Sequence, residues 1–443
     1  MAQKTKQWGA IIIMIALFAM IAFVTNLCTP MATIIKNQGP ISNVLAQIGN
    51  YGNFIAYLVM GIPAGMLISK YGYKKTALIG LVVGSVGILI QWISGLMDVD
   101  NNLGLVFAVY LIGAFIAGLC MCILNCVVNP MLNLLGGGGN SGNQLIQIGG
   151  VFNSTAAVAC YILMGALIGD AAKAKISDAT PALMIALAIF VVAFIVISFT
   201  KIEEPKQAPV QLDLIKGAMS YRHFALGTLG IFVYMGIEVG VPNFVQQYLI
   251  SDYGLPASTV GMIVAVYWFM MLIGRFVGAS IGEKVSSRTM ITVVSSATII
   301  LVLFGMFAPT ITVAFPGVNW GTLEIIWEEI PLGAVPGVHW CTLDLIWEEI
   351  PLGFFSFLLV GLCTSVLWGA IFNMAVEGLG KYTAIASGIF MTMVFGCAVM
   401  MFIQATVADL VGYIQSFWCV VACAVYLLFY ALIGSKVTRR EAE

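Results

Sequence analysis

Long apolar runs recur along the chain, and their length decides what the chain can fold into. A helix needs about 20 mostly apolar residues to cross the hydrocarbon core of a bilayer. The runs are too long and too evenly apolar for strands of a membrane barrel, which alternate over about 10 residues. Twelve such runs lie at about residues 9–30, 48–69, 76–96, 104–128, 146–169, 182–200, 224–249, 258–280, 290–309, 354–375, 384–407 and 412–434. The sequence therefore predicts an all-α membrane protein with twelve transmembrane helices.

Charge is scarce and unevenly placed along the sequence. Only 9% of the residues are charged and 61% are hydrophobic, whereas about a quarter of a soluble domain is charged. If both termini are cytoplasmic, most basic residues fall in cytoplasmic loops, and the outer loops keep only Lys36, Lys173 and Lys175. This asymmetry predicts a multi-pass protein of the cell inner (cytoplasmic) membrane. The first apolar run has no small-residue cleavage site, so we expect a retained helix and not a signal peptide.

The predicted spans divide six and six around the most polar stretch of the chain, residues 201–222. We interpret this stretch as a cytoplasmic linker between an N-terminal half at 1–200 and a C-terminal half at 223–443. The loop after the second helix of each half has a glycine followed by basic residues, at 65–75 and 274–288. Two equivalent halves are what an alternating-access carrier needs, because rocking exposes a substrate held between them to either side.

Several motifs resemble one family of carriers. The segment GMLISKYGYKK at 65–75 is similar to a loop signature of the major facilitator superfamily, with Ser69 where most members carry Asp. Other segments are similar to the fucose, galactose and glucose symporter family of that superfamily: NPMLNLLG at 129–136, FNS at 152–154, YMGIEVGV at 234–241, IGRFVG at 273–278 and IFNMAVEGLGKYT at 371–383. The resemblance covers nearly the whole chain apart from one outer loop. It implies a major facilitator fold and a monosaccharide carrier.

Polar side chains within the predicted spans are mainly amides and aromatic rings. A sugar offers hydroxyls, which amides match as both donors and acceptors, and an apolar C–H face, which aromatic rings cover. Buried amides also serve simply to join helices, so this alternative stays open. For Asn153 the resemblance implies a sugar-binding role. The candidate sugar-binding residues are Asn26, Asn125, Asn129, Asn153, Tyr234, Glu238, Gln246, Trp268, Trp368, Asn373 and Gln404.

Two ionisable residues lie well within the predicted spans, Glu238 in the seventh and Arg275 in the eighth. Charged groups are costly inside a membrane, so each is a functional candidate. Glu238 is interpreted as a sugar-hydroxyl acceptor or a proton carrier, and the alternative is a structural ion pair with Arg275. The resemblance favours the functional role for Glu238. We interpret Arg275 as structural, because its segment approaches the cytoplasmic hinge.

Three positions depart from the family pattern. The resemblance implies an aspartate on the first helix and a glutamate on the fourth, but Thr29 and Asn125 stand there, and neither carries a proton near neutral pH. Gly150 stands where a glutamine is implied, which enlarges the pocket or changes the sugar epimer that it accepts. Glu238 is then the one buried carboxylate left for proton coupling. A proton, a sodium ion or no coupling ion at all are open alternatives.

A direct duplication does not belong to the family pattern. FPGVNWGTLEIIWEEIPLG at 315–333 is followed by VPGVHWCTLDLIWEEIPLG at 335–353, with 14 of 19 positions identical. The predicted topology places this duplicated loop, residues 315–353, outside, between the ninth and tenth helices. Tryptophans and aliphatic residues recur at helical spacing, so each copy is predicted to be a short amphipathic helix at the outer interface. We interpret the duplication as a tolerated insertion, and a lid or docking surface is the alternative.

These observations favour a secondary active transporter that imports a hexose or deoxyhexose, such as fucose, galactose or glucose, by alternating access. The alternatives are a carrier for another small polar metabolite and a non-transporting membrane sensor with the same fold. The absence of a nucleophile–base pair, a phosphate loop and a metal-ligand cluster predicts no enzyme activity, no cofactor and no metal. A net charge of -1 without a basic stripe predicts no nucleic-acid partner. We expect a monomer whose partners are a sugar, membrane lipid and a proton or sodium ion.

Overall fold

A computed structural model shows a bundle that is helical apart from four short strands in the residues that it describes. The described residues are 7–37, 43–97, 99–168, 176–200, 204, 213–254, 257–308, 312–318, 324–330, 333–339, 345–351 and 353–438. The helices fall into two groups along the chain, which we call the first and second bundles. This arrangement agrees with the all-α class predicted from the apolar runs.

In the described part of the chain, the first bundle contains the helices α1 (Trp8–Asn37), α2 (Asn43–Gly95), α3 (Val99–Leu135), α4 (Gly139–Ile168) and α5 (Thr180–Phe199). The described residues of the second bundle form the helices α6 (Asp213–Met219), α7 (Arg222–Ser251), α8 (Ala257–Ile281), α9 (Ser287–Phe307), α10 (Gly353–Thr364), α11 (Leu367–Val376), α12 (Thr383–Thr392), α13 (Gly396–Val411), α14 (Tyr413–Ser416) and α15 (Trp418–Phe429). Short 3₁₀ turns precede α5, α12 and α13, at Ile176–Ala179, Gly380–Tyr382 and Met393–Phe395, and a π-helical turn at Tyr430–Gly434 follows α15.

Ten stretches of the described residues are long and apolar enough to cross a membrane. One of them, Phe54–Gly95, has 42 residues, which is about twice the length that one crossing needs. Gly72 divides it, because its φ of 82° and ψ of 172° are not helical. The helix α4 adds a further 30-residue segment. Together these elements agree with the twelve predicted spans.

The turn at Gly72 is held by Glu204, which follows α5 in the chain. Glu204 accepts hydrogen bonds from the backbone N–H groups of Tyr73 at 2.8 Å and Lys74 at 2.6 Å. A carboxylate at this place caps the free N–H groups at the start of the second part of α2. The Lys74 ammonium reaches the Ser198 carbonyl at the end of α5, at 2.9 Å. The basic loop predicted from the sequence is therefore fixed to the rest of the first bundle.

The two bundles touch most extensively along two pairs of helices, α2 with α12 and α4 with α8. Between α2 and α12 the backbones come close, since a Cβ atom on Gly61 would lie 2.7 Å from the Gly388 carbonyl oxygen. Small residues permit such an approach between membrane helices. Ser387 of α12 also hydrogen-bonds the Cys126 carbonyl of α3 at 3.2 Å. These contacts set the bundles side by side with polar groups between them.

One end of the molecule is closed by hydrogen bonds between the bundles, and we call it the closed end. It lies where α3, α8 and α11 finish and where α4 and α9 begin. Asn133 of α3 donates to the side-chain oxygen of Asn373 in α11 at 3.0 Å. Asn373 in turn donates to the Ser287 hydroxyl at the start of α9, at 2.9 Å. Asn133 and Asn373 are both buried, so water competes little for these bonds.

The first turns of α4 extend the closed end. Their amide side chains donate to backbone carbonyls of the second bundle, namely Asn140 to Glu283 at 3.2 Å, Gln144 to Ala279 at 3.2 Å and Gln147 to Val366 at 3.0 Å. These residues occur at intervals of three or four along α4, so they lie near one another on the helix surface. One strip of α4 therefore binds the end of α8 and the residues around it.

Where the structure describes it, the duplicated loop forms strands, so the predicted amphipathic helices are wrong. Strands β1 (Thr312–Val318) and β4 (Leu345–Pro351) pair antiparallel, and so do β2 (Glu324–Ile330) and β3 (Gly333–His339). Each ladder joins one copy to the other, and both pair the same repeat positions, as in Phe315 with Glu348 and Val335 with Glu328. Each copy contains a Pro-Gly pair that interrupts a helix, and its valines, isoleucines and tryptophans favour strands.

Candidate functional site

Polar residues of both bundles meet near the middle of the helices. Asn153 lies about 20 Å from the start of α4, at 1.5 Å per residue, which is well inside a hydrocarbon core about 30 Å thick. Side chains from α3, α7, α8 and α11 approach the same region. We call this group the central cluster: Asn125, Asn129, Asn153, Tyr234, Glu238, Arg275 and Trp368.

Arg275 of α8 crosses to α4, and we call this contact the arginine bridge. Its Nη1 donates to the side-chain oxygen of Asn153 at 2.9 Å and to the Gly150 carbonyl at 2.8 Å. Asn153 donates from its own amide nitrogen to the Phe18 carbonyl of α1 at 2.8 Å. These two contacts set the orientation of the Asn153 amide, with its oxygen towards Arg275. Asn153 is only half-buried, so it remains open to a ligand.

Glu238 compensates the charge of Arg275 from within the second bundle. Oε1 of Glu238 lies 3.6 Å from Nη2 of Arg275, and the two side chains are only 13% and 10% exposed. A buried ion without a counter-charge costs several kcal/mol, so this pairing makes both side chains tolerable inside the membrane. The sequence-based alternative of an ion pair between them is therefore present in the structure. The same pair also lies beside Asn153.

Gly150 gives the guanidinium group its place against α4. A Cβ atom added at this position would lie 3.3 Å from Cδ of Arg275 and 3.6 Å from its Nε. The first of these distances is tight for carbon atoms, so a side chain at 150 would push Arg275 away. Arg275 therefore fills the extra pocket space that was expected beside Gly150.

A second contact between the bundles joins α11 to α3, and we call it the tryptophan bridge. Trp368 donates from Nε1 to the side-chain oxygen of Asn129 at 3.0 Å. Asn129 is fully buried and donates to the Asn125 carbonyl at 3.0 Å. Asn125 in turn donates to the Tyr57 hydroxyl of α2 at 2.8 Å. A chain of neutral hydrogen bonds therefore runs from the first bundle to the second.

Aromatic rings surround the second-bundle side of the central cluster. Tyr234 lies one helical turn before Glu238 on α7, and its ring centroid is 6.3 Å from that of Trp368. Tyr267 donates from its hydroxyl to the Glu238 carbonyl at 3.0 Å. Trp268 meets Tyr267 edge to face, with centroids 5.4 Å apart. These rings offer apolar faces next to the hydrogen-bonding groups.

This combination suits a neutral ligand with several hydroxyl groups. The amides donate and accept, the guanidinium group donates and the carboxylate accepts, while the rings can cover a C–H face. Glu238 offsets the charge of Arg275, so an anionic ligand gains little from it. Within the described ranges, no three His, Cys, Asp or Glu side chains are grouped in a way that would hold a metal ion.

The family profile of the Major Facilitator Superfamily matches residues 10–327, which is more than two thirds of the chain. The chain belongs to this superfamily. It is therefore a multi-pass membrane transporter with the major facilitator fold, and not an enzyme. The match ends within the first copy of the duplication. The motifs that resemble the family also lie outside this duplicated loop.

Two curated relatives carry more specific names. A glucose/galactose transporter of Brucella abortus is 28% identical over 442 residues, covering 97% of this chain and 95% of the relative. The L-fucose-proton symporter of Escherichia coli is 20% identical over 346 residues, covering 70% of this chain and 77% of the relative. The family resemblance read from the motifs is confirmed at this level.

A solved structure shows the same fold in this superfamily. FucP, a major facilitator transporter in the outward conformation, matches with a TM-score of 0.76 over 96% of this chain and 98% of FucP. The two sequences are 18% identical over that alignment, so the likeness concerns the fold.

Other candidate residues of this transporter lie outside the central cluster. Asn373 belongs to the closed end, as described above. Gln404 of α13 hydrogen-bonds a serine hydroxyl of α14 at 3.4 Å. Gln246 is exposed, about two turns after Glu238 on α7, and Asn26 donates to a carbonyl one turn earlier in α1 at 2.7 Å. The side chain of Thr29 lies outside the described residues.

Sequence reasoning missed the link from Arg275 to Asn153 and the role of the α4 amides. Arg275 was interpreted as structural, yet it touches the very amide to which the resemblance gives sugar binding. One signal was available, since Arg275 is the only basic residue inside a predicted span and needs a polar neighbour there. Asn140, Gln144 and Gln147 also carried a signal, because their spacing marks one strip of a helix.

Proposed function

We propose that this transporter imports a neutral monosaccharide of the hexose or deoxyhexose class by alternating access. The observation that carries the proposal is the similarity to a glucose/galactose transporter over 97% of this chain. The central cluster supports it independently, because amides, one balanced ion pair and aromatic rings match the hydroxyls and the C–H face of a sugar.

Within this proposal the central cluster is the sugar site. Asn153 hydrogen-bonds sugar hydroxyls, and Glu238 accepts from one of them. Trp368, Tyr234 and Trp268 provide the apolar faces, while Asn125 and Asn129 hold Trp368 in place from the first bundle. Gln246, Gln404 and Asn26 belong to the proposed site only if the sugar reaches them in another conformation.

The closed end faces the cytoplasm in this proposal. Both bundles place basic residues there, including Lys74 after the Gly72 turn, Lys284 between α8 and α9, Arg288 in the first turn of α9, and Lys381 between α11 and α12. Positive charge in short loops favours the cytoplasmic side. The termini are then cytoplasmic, the protein lies in the inner membrane as a monomer, and sugar enters the central cluster from outside.

Proton coupling through Glu238 is the favoured form of energy supply. The name of the Escherichia coli relative, L-fucose-proton symporter, supports a proton over a sodium ion. Glu238 is a carboxylate beside the proposed sugar-binding amide, in a position where both bundles meet. Sodium coupling and uncoupled passage are the outcomes against which this part of the proposal is tested.

Sugar binding is tested first by thermal unfolding of the purified transporter in detergent. D-Glucose, D-galactose and L-fucose are compared with L-glucose, which is the mirror image of D-glucose. A ligand at a hundred times its dissociation constant stabilises a protein by about 2.7 kcal/mol. We expect stabilisation by at least one of the first three sugars and accumulation of that sugar in proteoliposomes. Equal effects of all four sugars, or none, would refute the proposed substrate class.

A further inference from the structure

The contacts of α4 with the second bundle form a continuous line from the closed end to the central cluster. Asn140 and Gln144 bind carbonyls near the end of α8, Gln147 follows, and the arginine bridge comes last. The first three contacts end on backbone carbonyls of the second bundle. The arginine bridge alone, among these described contacts, ends on Asn153 at the proposed sugar site. It therefore connects the row of contacts that starts at the closed end with the proposed sugar site.

Although it involves a charged side chain, the arginine bridge can open without leaving that charge unpaired. Nη1 of Arg275 serves Asn153 and the Gly150 carbonyl, whereas Nη2 faces Glu238. Arg275 and Glu238 belong to the same bundle, so they stay together when the bundles separate. A guanidinium group has five N–H donors, and losing two acceptors leaves its counter-charge in place.

A sugar at Asn153 competes with Arg275 for the same atom. The amide oxygen of Asn153 receives the arginine hydrogen bond, and its nitrogen is occupied by the Phe18 carbonyl. The oxygen keeps a second lone pair and the nitrogen a second N–H, but a hydroxyl group that takes the place of Nη1 or of the Phe18 carbonyl replaces that partner. Of these, Arg275 belongs to the opposite bundle, whereas Phe18 lies in the first bundle with Asn153.

We infer that Arg275 is a latch between the bundles, which sugar binding releases. With no sugar present, the arginine bridge ties α4 to α8 and stabilises the closed end. A sugar hydroxyl that takes the oxygen of Asn153 frees Arg275 to remain with Glu238, and the closed end opens more readily. A ligand shifts a conformational equilibrium only through contacts that differ between the two states, and this exchange of acceptors is such a difference. Arg275 is therefore a positioning residue. The release of the latch by sugar rests on the proposed function.

Hydrogen–deuterium exchange of the purified full-length transporter tests the latch. The peptides to follow cover residues 139–150 and 279–290, which form the α4 and α8 sides of the closed end. Without sugar, Arg275→Gln should raise their exchange roughly tenfold, because a hydrogen bond to a charged group is lost. Adding the stabilising sugar should raise exchange in the wild type and have little further effect in this variant.

Gln144→Ala is the matched control, because it removes another α4–α8 contact that does not touch the central cluster. It should also raise exchange without sugar, but it should keep the response to sugar. Arg275→Gln leaves Glu238 without its counter-charge, so the double variant Arg275→Gln/Glu238→Gln serves as the charge-balanced version. Without sugar, it should show the same raised exchange as Arg275→Gln.

Unchanged exchange in the ligand-free Arg275 variants would overturn the latch, and so would a response to sugar equal to that of the wild type. A different result would refute the proposed substrate class. If no sugar stabilises the wild type, the substrate class is wrong, while the ligand-free exchange of the Arg275 variants still decides whether the latch exists.

Discussion

The arginine bridge and the tryptophan bridge both join the two bundles at the central cluster, but they differ in how easily they can break. The tryptophan bridge ends on Asn129, which is fully buried, and breaking it would leave a buried polar atom unpaired. The arginine bridge ends on half-buried Asn153, and Glu238 stays beside Arg275 when it opens. We therefore expect the charged contact to be the movable one and the neutral contact to be the more persistent.

The largest expected effect comes from removing the carboxylate that accompanies Arg275. Glu238→Gln keeps a hydrogen-bonding side chain of the same shape but cannot carry a proton. We expect concentrative sugar uptake into proteoliposomes to be abolished under an imposed proton gradient, while exchange of sugar across the membrane persists. Accumulation that survives in this variant, and that does not collapse with the proton gradient, would instead point to sodium coupling or facilitated diffusion.

A smaller effect is expected at the first-bundle end of the arginine bridge. Asn153→Ala removes the amide and leaves sugar hydroxyls unpaired, at about 1–3 kcal/mol, so binding should weaken roughly 5-fold to 150-fold. Equilibrium binding to purified protein measures this directly, and normal membrane insertion should be retained. Unchanged affinity would remove Asn153 from the sugar site.

Trp368→Phe is the contrasting control at the tryptophan bridge. It keeps an aromatic face but loses the N–H donor to the buried oxygen of Asn129. Thermal stability should fall more than in Asn153→Ala, whereas sugar affinity should change less. The reverse order of the two variants would show that the tryptophan bridge, and not the arginine bridge, responds to the ligand.

The smallest effect is expected far from both bridges, in the duplicated loop. Deleting residues 334–353 leaves one copy, and its two strands, 312–318 and 324–330, can pair in the register that the two ladders already share. The loop still spans from α9 to α10, so uptake should remain nearly unchanged. Loss of transport with normal expression would support a role as a lid or docking surface.

The apolar runs alone were enough to predict the helical class, because a bilayer imposes one requirement on every crossing segment. Short motifs around Asn129, Asn153 and Tyr234 were enough to indicate the family. These predictions depend on neighbouring residues in the chain, so sequence reasoning could reach them. In the duplicated loop the same local reasoning failed, because helical spacing of tryptophans was weighed above the Pro-Gly pairs and the β-branched residues.

The sequence also identified Glu238 and Arg275 as the two ionisable residues inside the spans, since charges in apolar runs are visible without a structure. Only the tertiary structure decided that Arg275 meets Asn153, which lies 122 positions earlier in the chain. The period of a helix relates residues three or four apart, whereas this contact depends on how α4 and α8 pack. That packing determines which amide belongs to the proposed sugar site and which, such as Asn373, to the closed end.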